Sequence, residues 1–367
     1  DIYLTGRQWS LEKFEEIYTR LGTNFDNYYF ESTAGEVGAK VVKEGLEKAV
    51  FEKSDGAVVF KGEQYGLHTR VFINSEGLPT YEAKDLGLPT LKQKDFDYDL
   101  SIIVTGNEID EYFKVVLKAL TLINPELGNK TKHLSHGMLK LTTGKMGSRK
   151  GNIISGEELL DTVHEQAWHI IQQVVQFNIE GEYVYYKENK HNIEPWFWEI
   201  AEIIAQGAIK YSVLKVSTGK DIIFDPKKEV VFEGNTGPYL QYTTVRANSI
   251  LDKVPKRSDP AHLGQNPAEL GQNPAELGLT LQPIEIQLIL KLTQFNDTIL
   301  RCAENYSIHF LSNYLYQLAS IFNGYYAQVK IDEGANTKAY RVELVKKVSK
   351  TLTQGLSLLG IKVPFKM

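Results

Sequence analysis

Cys302 is the only cysteine among 367 residues. A disulfide within the chain is therefore excluded, and so is a thiolate-ligated metal cluster. A reducing, cytoplasmic setting is the expectation. Methionine is nearly as scarce, with three in the chain and none at position 1. The opening residues Asp1-Ile2-Tyr3 lack the basic-then-apolar pattern of a secretion signal. Asp1 is thus expected to be a processed terminus or, by preference, the edge of a fragment. No apolar run approaches the ~20 residues that a membrane-spanning helix needs, so no membrane partner is expected. Positive charge is also in deficit: Lys and Arg total 41 against 46 for Asp and Glu, a net charge of −5. That balance does not advertise a nucleic-acid binder. It does not exclude one, because the field that phosphates feel is local. Two basic strips qualify, residues 140–150 and the set Lys338, Arg341, Lys346, Lys347 and Lys350. Each reads equally well as a solvated face.

What is present fits two globular domains: 42% hydrophobic residues, 24% charged and enough length for both. Residues 57–60 and 70–73 read as strands between glycine turns, and 100–104 is a compact apolar run. That run leads through Thr105-Gly106-Asn107 into a helix over 108–123. Strand, glycine turn and helix form the unit of a parallel α/β sheet, whose ligands sit at the carboxyl ends of the strands. Beyond about residue 155 the periodicity becomes helical, over 156–177, 195–216, 238–254, 283–303, 309–328 and 337–359. Pro195, Pro238 and Pro283 stand near helix starts, where a missing N–H is harmless. A helical bundle follows. The expected domains are 1–180 and 181–367. The heptapeptide at 263–269 recurs at 270–276. Two copies are too few for a solenoid, and a duplicated surface loop is expected there.

Four segments carry candidate chemistry. Lys145-Met146-Gly147-Ser148-Arg149-Lys150-Gly151-Asn152 is a glycine-flanked loop with three cations, able to fold over a polyphosphate. His133-Leu134-Ser135-His136-Gly137-Met138 holds two histidines but no further ligand nearby, so no metal site is expected. Tyr81 and Asp85 share one helix face, an aromatic ring beside a carboxylate, which suits a guanidinium. On this evidence alone a helix opening with ordinary polar residues explains them as well. Tyr239, Gln241, Tyr242 and Arg246 follow the turn Asn235-Thr236-Gly237-Pro238, and aromatics with arginine suit RNA. Core packing is the competing explanation for at least one of these tyrosines.

Together these strings resemble the arginyl-tRNA synthetases, a branch of the class I aminoacyl-tRNA synthetases. The 145–152 loop is similar to that class's second signature, with Gly147 in place of a serine. The resemblance runs from about Glu31 to Met367, with its blocks in family order. It implies the second half of a Rossmann-like α/β catalytic domain, followed by an all-α anticodon-binding bundle. The activity implied is ATP-dependent activation of L-arginine and its transfer to the 3′ end of the cognate tRNA. Mg²⁺ would accompany ATP, with no tightly bound cofactor, and the protein would be a monomer. Carried over residue by residue, Lys145, Arg149 and Lys150 are catalytic. His136, Gly137, Met138, Lys145, Met146 and Ser148 bind ATP. Tyr81 and Asp85 bind arginine. Many relatives have glutamine where this chain has Ile109, so Asn107 or Glu108 is a candidate for the missing polar contact. Asn235, Tyr239, Gln241, Tyr242, Arg246, Phe322, Tyr325 and Met367 are expected at the tRNA. The class's first signature, His-Ile-Gly-His, is absent. The 367-residue chain is therefore expected not to activate arginine unaided. A tRNA-binding remnant and one half of a split enzyme are the alternatives.

Overall fold

The computed structural model describes residues 2–142, 155–178, 195–253, 281–331 and 335–367. The cationic loop at 145–152 and the duplicated heptapeptide at 263–276 lie outside the described residues. The chain falls into two compact units, Asp1–Met138 with Thr218–Asp221, and Leu139–Ser217 with Ile222–Met367.

The first unit opens with helices α1 (Ile2–Leu21) and α2 (Glu31–Glu47). An antiparallel sheet follows, of β1 (Glu52–Ser54), β2 (Ala57–Phe60) and β3 (Arg70–Ile73). The alternation along these strands turns Val58, Phe60 and Phe72 inward, where they meet Phe51. Helix α3 (Tyr81–Asp95) leaves the sheet and buries Ala83 and Leu86 in the same core. Next come β4 (Ser101–Gly106), α4 (Asp110–Ile123), α5 (Pro125–Lys130) and β5 (Thr131–His136). β4 and β5 pair in parallel from Ser101 opposite Thr131 to Gly106 opposite His136. Parallel neighbours need a helical crossover, and α4 supplies it with Val115, Val116, Ala119 and Leu120 buried. The helix expected from residue 108 starts two residues later, after a 3₁₀ turn over Asn107–Ile109.

α2 and α3 cross almost backbone to backbone. A methyl group on Gly38 would lie 1.8 Å from the Ala83 carbonyl oxygen, and one on Gly87 2.4 Å from the Gly38 nitrogen. Small residues at both positions are thus a steric requirement of the crossing. Gly38→Ala is expected to destabilise the first unit by about 1–3 kcal/mol, as overpacking does. Urea denaturation of this variant against the parent chain checks it.

In the second unit, β6 (Leu139–Leu141) pairs in parallel with β7 (Ile222–Phe224). Around this ladder lie α6 (Gly156–Asn178), α7 (Pro195–Leu214) and α8 (Pro226–Glu229). The bundle proper is α9 (Gly237–Lys253), α10 (Pro283–Thr293), α11 (Phe295–Asn305), α12 (His309–Gln328) and α13 (Ala335–Leu358). The α/β part followed by helices is the architecture expected. One helix expected over 283–303 is instead two. At Gln294 the backbone turns (ψ −4°), and its N–H bonds Lys291 O at 3.2 Å, three residues back. No proline or glycine marks the break.

Arg341, read above as part of a basic strip, is instead buried. Its Nε donates to Glu285 Oε1 at 3.0 Å and its Nη1 to the Lys330 carbonyl at 2.7 Å. The other carboxylate oxygen of Glu285 accepts from the Gln282 N–H at 2.8 Å, closing a capping box at the start of α10. Among the described residues no helix is long and apolar enough to cross a membrane.

Candidate functional site

Asp85 is placed by three features of α3. Thr80, just before the helix, does not cap it; its hydroxyl lies 2.7 Å from Val71 O and 3.0 Å from Phe72 O, tying the helix start to β3. The glycine crossing fixes the helix against α2. Pro89 lies four residues on, inside the helix. It has no N–H to give the Asp85 carbonyl, so that turn is without its usual hydrogen bond. The Asp85 side chain is half-buried and accepts a hydrogen bond of 2.5 Å from the Tyr112 hydroxyl on α4. Desolvation raises its pKa above the ordinary carboxylate value, the Tyr112 bond opposes this, and Glu82 and Glu31 add to it. Among the described residues no lysine or arginine nitrogen pairs with it within 4.0 Å. The neighbouring cations are committed elsewhere. Lys84 pairs with Glu31 at 2.7 Å, and Arg70 pairs with Glu82 at 3.3 Å. A desolvated carboxylate with a raised pKa weakens the empty fold as pH rises through the carboxylate range. A bound cation reverses that loss. Tyr81, one turn earlier, is 65% exposed, with Lys84 Nζ 4.6 Å from its ring centre.

The carboxyl ends of β4 and β5 lie side by side, as the parallel register requires. The Asn107 amide donates to Gly219 O at 3.1 Å, and the Met138 N–H to Asp221 Oδ1 at 3.0 Å. Gly137 passes so near the main chain of Lys220 that a side chain would lie 2.0 Å from its oxygen. His136 Nδ1 is 2.9 Å from Gly137 O. Residues 219–221 therefore line these strand ends, a contribution that no sequence motif advertised. The Glu108 carboxylate folds back over Gly106 and is exposed. Among the described residues no hydrogen bond links Asn107 or Glu108 to Asp85. His133 stacks on Phe113, centroids 4.3 Å apart, with Nε2 2.7 Å from Thr105 Oγ1. Desolvation lowers its pKa despite Asp110 at 3.8 Å. Its contacts are those of a packing and hydrogen-bonding group.

In the second unit, Tyr239, Tyr242 and Arg246 lie together on α9, each half-buried. Arg246 donates to Asn323 Oδ1 at 2.6 Å and to the Tyr242 hydroxyl at 2.8 Å. Its guanidinium lies 5.4 Å from the ring centre of Tyr326, which is exposed. Asn323 in turn donates to the Tyr239 hydroxyl at 3.0 Å. Asn323 and Tyr326 belong to this cluster without having been singled out above; their spacing from Phe322 was the available signal.

Three residues expected at the tRNA are buried in the interior. Phe322 and Tyr325 are fully buried on the inner side of α12. Gln241 is also fully buried, and its amide nitrogen bridges Ile203 O at 3.0 Å and Lys362 O at 2.7 Å. Its physical role is to stitch α7, α9 and the tail together. Asn235 accepts from the Tyr211 hydroxyl at 2.6 Å, which anchors the turn before α9. Met367 is half-buried against the cluster formed by Leu141, Val163 and Ile200. Lys145, Met146, Ser148, Arg149 and Lys150 lie outside the described residues.

Comparison with known proteins agrees with both parts. Residues 7–226 match the family described as tRNA synthetases class I (R), catalytic domain, and residues 240–367 match the DALR anticodon binding domain. An arginine–tRNA ligase of Flavobacterium psychrophilum is 33% identical over all of this chain and 57% of its own length. Thermus thermophilus arginyl-tRNA synthetase superposes with a TM-score of 0.73 at 25% identity, over 95% of this chain and 61% of that one. The Plasmodium falciparum arginyl-tRNA synthetase gives 0.77 at 20% identity, over 100% and 58%. The chain thus spans about three-fifths of the proteins it matches. With a catalytic-domain match over more than half of its residues and an anticodon-binding domain following it in the expected order, this chain belongs to the class I arginyl-tRNA synthetase family.

Proposed function

We propose that the chain provides arginine selection and tRNA binding in an arginine–tRNA ligase. ATP would activate the carboxylate of L-arginine as an adenylate, and the arginyl group would pass to the 3′-terminal ribose of tRNA. The observation that carries this is the half-buried Asp85, held by Tyr112 and left without a cation among the described residues. A guanidinium supplies the missing charge and a planar pair of donors for the carboxylate. Tyr81, exposed one turn away, offers a ring and hydroxyl to the same ligand. Backbone at His136, Gly137 and Met138, at the strand ends, suits the adenine. Lys145, Arg149 and Lys150 would neutralise the pyrophosphate as it leaves, with Mg²⁺ carried on the phosphates. The exposed edge of the Tyr239, Tyr242, Arg246 and Tyr326 cluster would stack with RNA bases. Cytoplasmic localisation and a monomeric state complete the proposal.

Titration calorimetry of the chain tests the proposal. L-arginine is expected to bind, and L-citrulline, its neutral near-isostere, to bind at least ~30-fold more weakly, since it leaves the half-buried charge uncompensated. Equal affinity for the two would overturn arginine selection by Asp85. Binding of tRNA without any binding of arginine would favour a non-catalytic tRNA-binding protein.

A further inference from the structure

The geometry points to Tyr112 as a positioning residue that holds the Asp85 carboxylate, through one hydrogen bond, in the orientation and ionisation state that receive the guanidinium. This rests on the arginine-binding reading of Asp85 proposed above.

Three contacts build the arrangement. The Tyr112 hydroxyl donates to Asp85 Oδ2 at 2.5 Å, across from α4 to α3. Oδ2 is thereby engaged, and among the described residues no hydrogen bond is made to Oδ1. The Arg70 guanidinium lies 5.2 Å from the Tyr112 ring centre and pairs with Glu82 at 3.3 Å. A cation on a phenol face draws electron density from the ring and favours donation by the hydroxyl. The Arg70 Nε is buried and has no hydrogen-bond partner among the described residues. That orphan donor shows the side chain seated by the ring and by Glu82 rather than by a full set of bonds. The edge of the Tyr112 ring also packs on Phe113, centroids 5.1 Å apart, so the phenol has little freedom to swing away.

The charges around Asp85 give the contact its effect. Glu82 and Lys84 lie on its own helix, Glu31 comes from α2, Arg70 from β3 and Tyr112 from α4. Burial and the two glutamates oppose ionisation, while Tyr112 and Lys84 favour it. Burial and the hydrogen bond to Asp85 drive the phenol far above its ordinary pKa, so it remains a donor at every working pH. Without that donor the carboxylate takes a proton at higher pH, and a protonated Asp85 does not hold a cation. The acid limb of arginine binding therefore moves to higher pH.

The experiment is arginine affinity of the full chain by titration calorimetry between about pH 4.5 and 8, for the parent, Tyr112→Phe and Asp85→Asn. Tyr112→Phe is expected to weaken binding about tenfold at pH 7.5, as loss of a bond to a charged group does. It is also expected to move the acid limb up by at least about half a pH unit. A merely structural tyrosine would change the melting temperature and leave the acid limb in place; that result overturns the inference. If Tyr112→Phe does not fold, 3-fluorotyrosine at position 112 replaces it. Its more acidic hydroxyl is a stronger donor, so the acid limb is expected to move down, and an unmoved limb is again the overturning result. Asp85→Asn separates the two claims. Parent-like arginine binding by this variant removes the pocket reading itself. Loss of binding there, with a parent-like Tyr112→Phe, removes only the role of Tyr112.

Discussion

Asp85→Ala is expected to raise the dissociation constant for arginine by roughly 30- to 150-fold, or about 2–3 kcal/mol. The range is the lower part of what breaking a charge pair costs, because the carboxylate is half-buried and water reaches it. Stability is expected to respond differently. The empty fold holds this carboxylate against desolvation and two neighbouring glutamates. Removing it relieves that repulsion, while the Tyr112 hydroxyl loses its acceptor, at about 1 kcal/mol. The two changes nearly cancel, so the unfolding free energy should stay within ~1 kcal/mol of the parent. Affinity by calorimetry and stability by urea denaturation separate the effects. A variant that unfolded readily, or one that bound arginine unchanged, would contradict the account of Asp85 as a ligand-binding charge.

The second large effect is on the fold alone. Glu285→Ala is expected to destabilise the helical unit by about 3–5 kcal/mol, because it strands the Arg341 guanidinium in the interior. Both partners are removed from water, with side chains 2% and 10% exposed. The same substitution deletes the acceptor for the Gln282 N–H, so the start of α10 loses its capping box as well. Glu285→Leu combined with Arg341→Met should recover much of the loss, since an apolar pair of similar size often matches a buried ion pair. Chemical denaturation of the single and double variants measures the difference. Equal stability of Glu285→Ala and the parent would mean that water reaches Arg341 freely.

The fold was legible where its signal was periodic or punctuated. The helices of the second unit announced themselves through apolar spacing and the prolines at 195, 238 and 283. The parallel β4–α4–β5 arrangement followed from an apolar run, a glycine turn and a helix. The break at Gln294 carried no such punctuation, and only the three-dimensional path shows it. Of the residues proposed to bind arginine, Tyr81 and Asp85 were readable through the family resemblance, because their shared helix face alone fits an ordinary helix opening as well. Tyr112 and Arg70 were not, since their relation to Asp85 depends on how α4 and β3 pack against α3, across 27 and 15 positions of sequence. Burial of residues expected at the tRNA has one cause. Gln241, Phe322 and Tyr325 stand within strings typical of the family, and a string does not say which of its side chains face water. Burial assigns these three to the interior. Arg341 shows the same limit for charge, since a cation in a basic stretch is solvated only if nothing folds over it.

The contact of α2 with α3 through Gly38 and Gly87 bears on how such a site could change over generations. A seam made of main chain has no rotamers to reshuffle, so mutations around it have nothing to propagate through. Tyr81, Lys84 and Glu31 stand beside Asp85 on these two helices, yet none of them sets the distance between the helices. They can be exchanged one at a time, altering what the site prefers, while the spacing between the helices that carry it stays where the glycines put it. Specificity is thereby free to drift on a frame that does not, and the narrow seam, rather than the charged rim, is the part least tolerant of change.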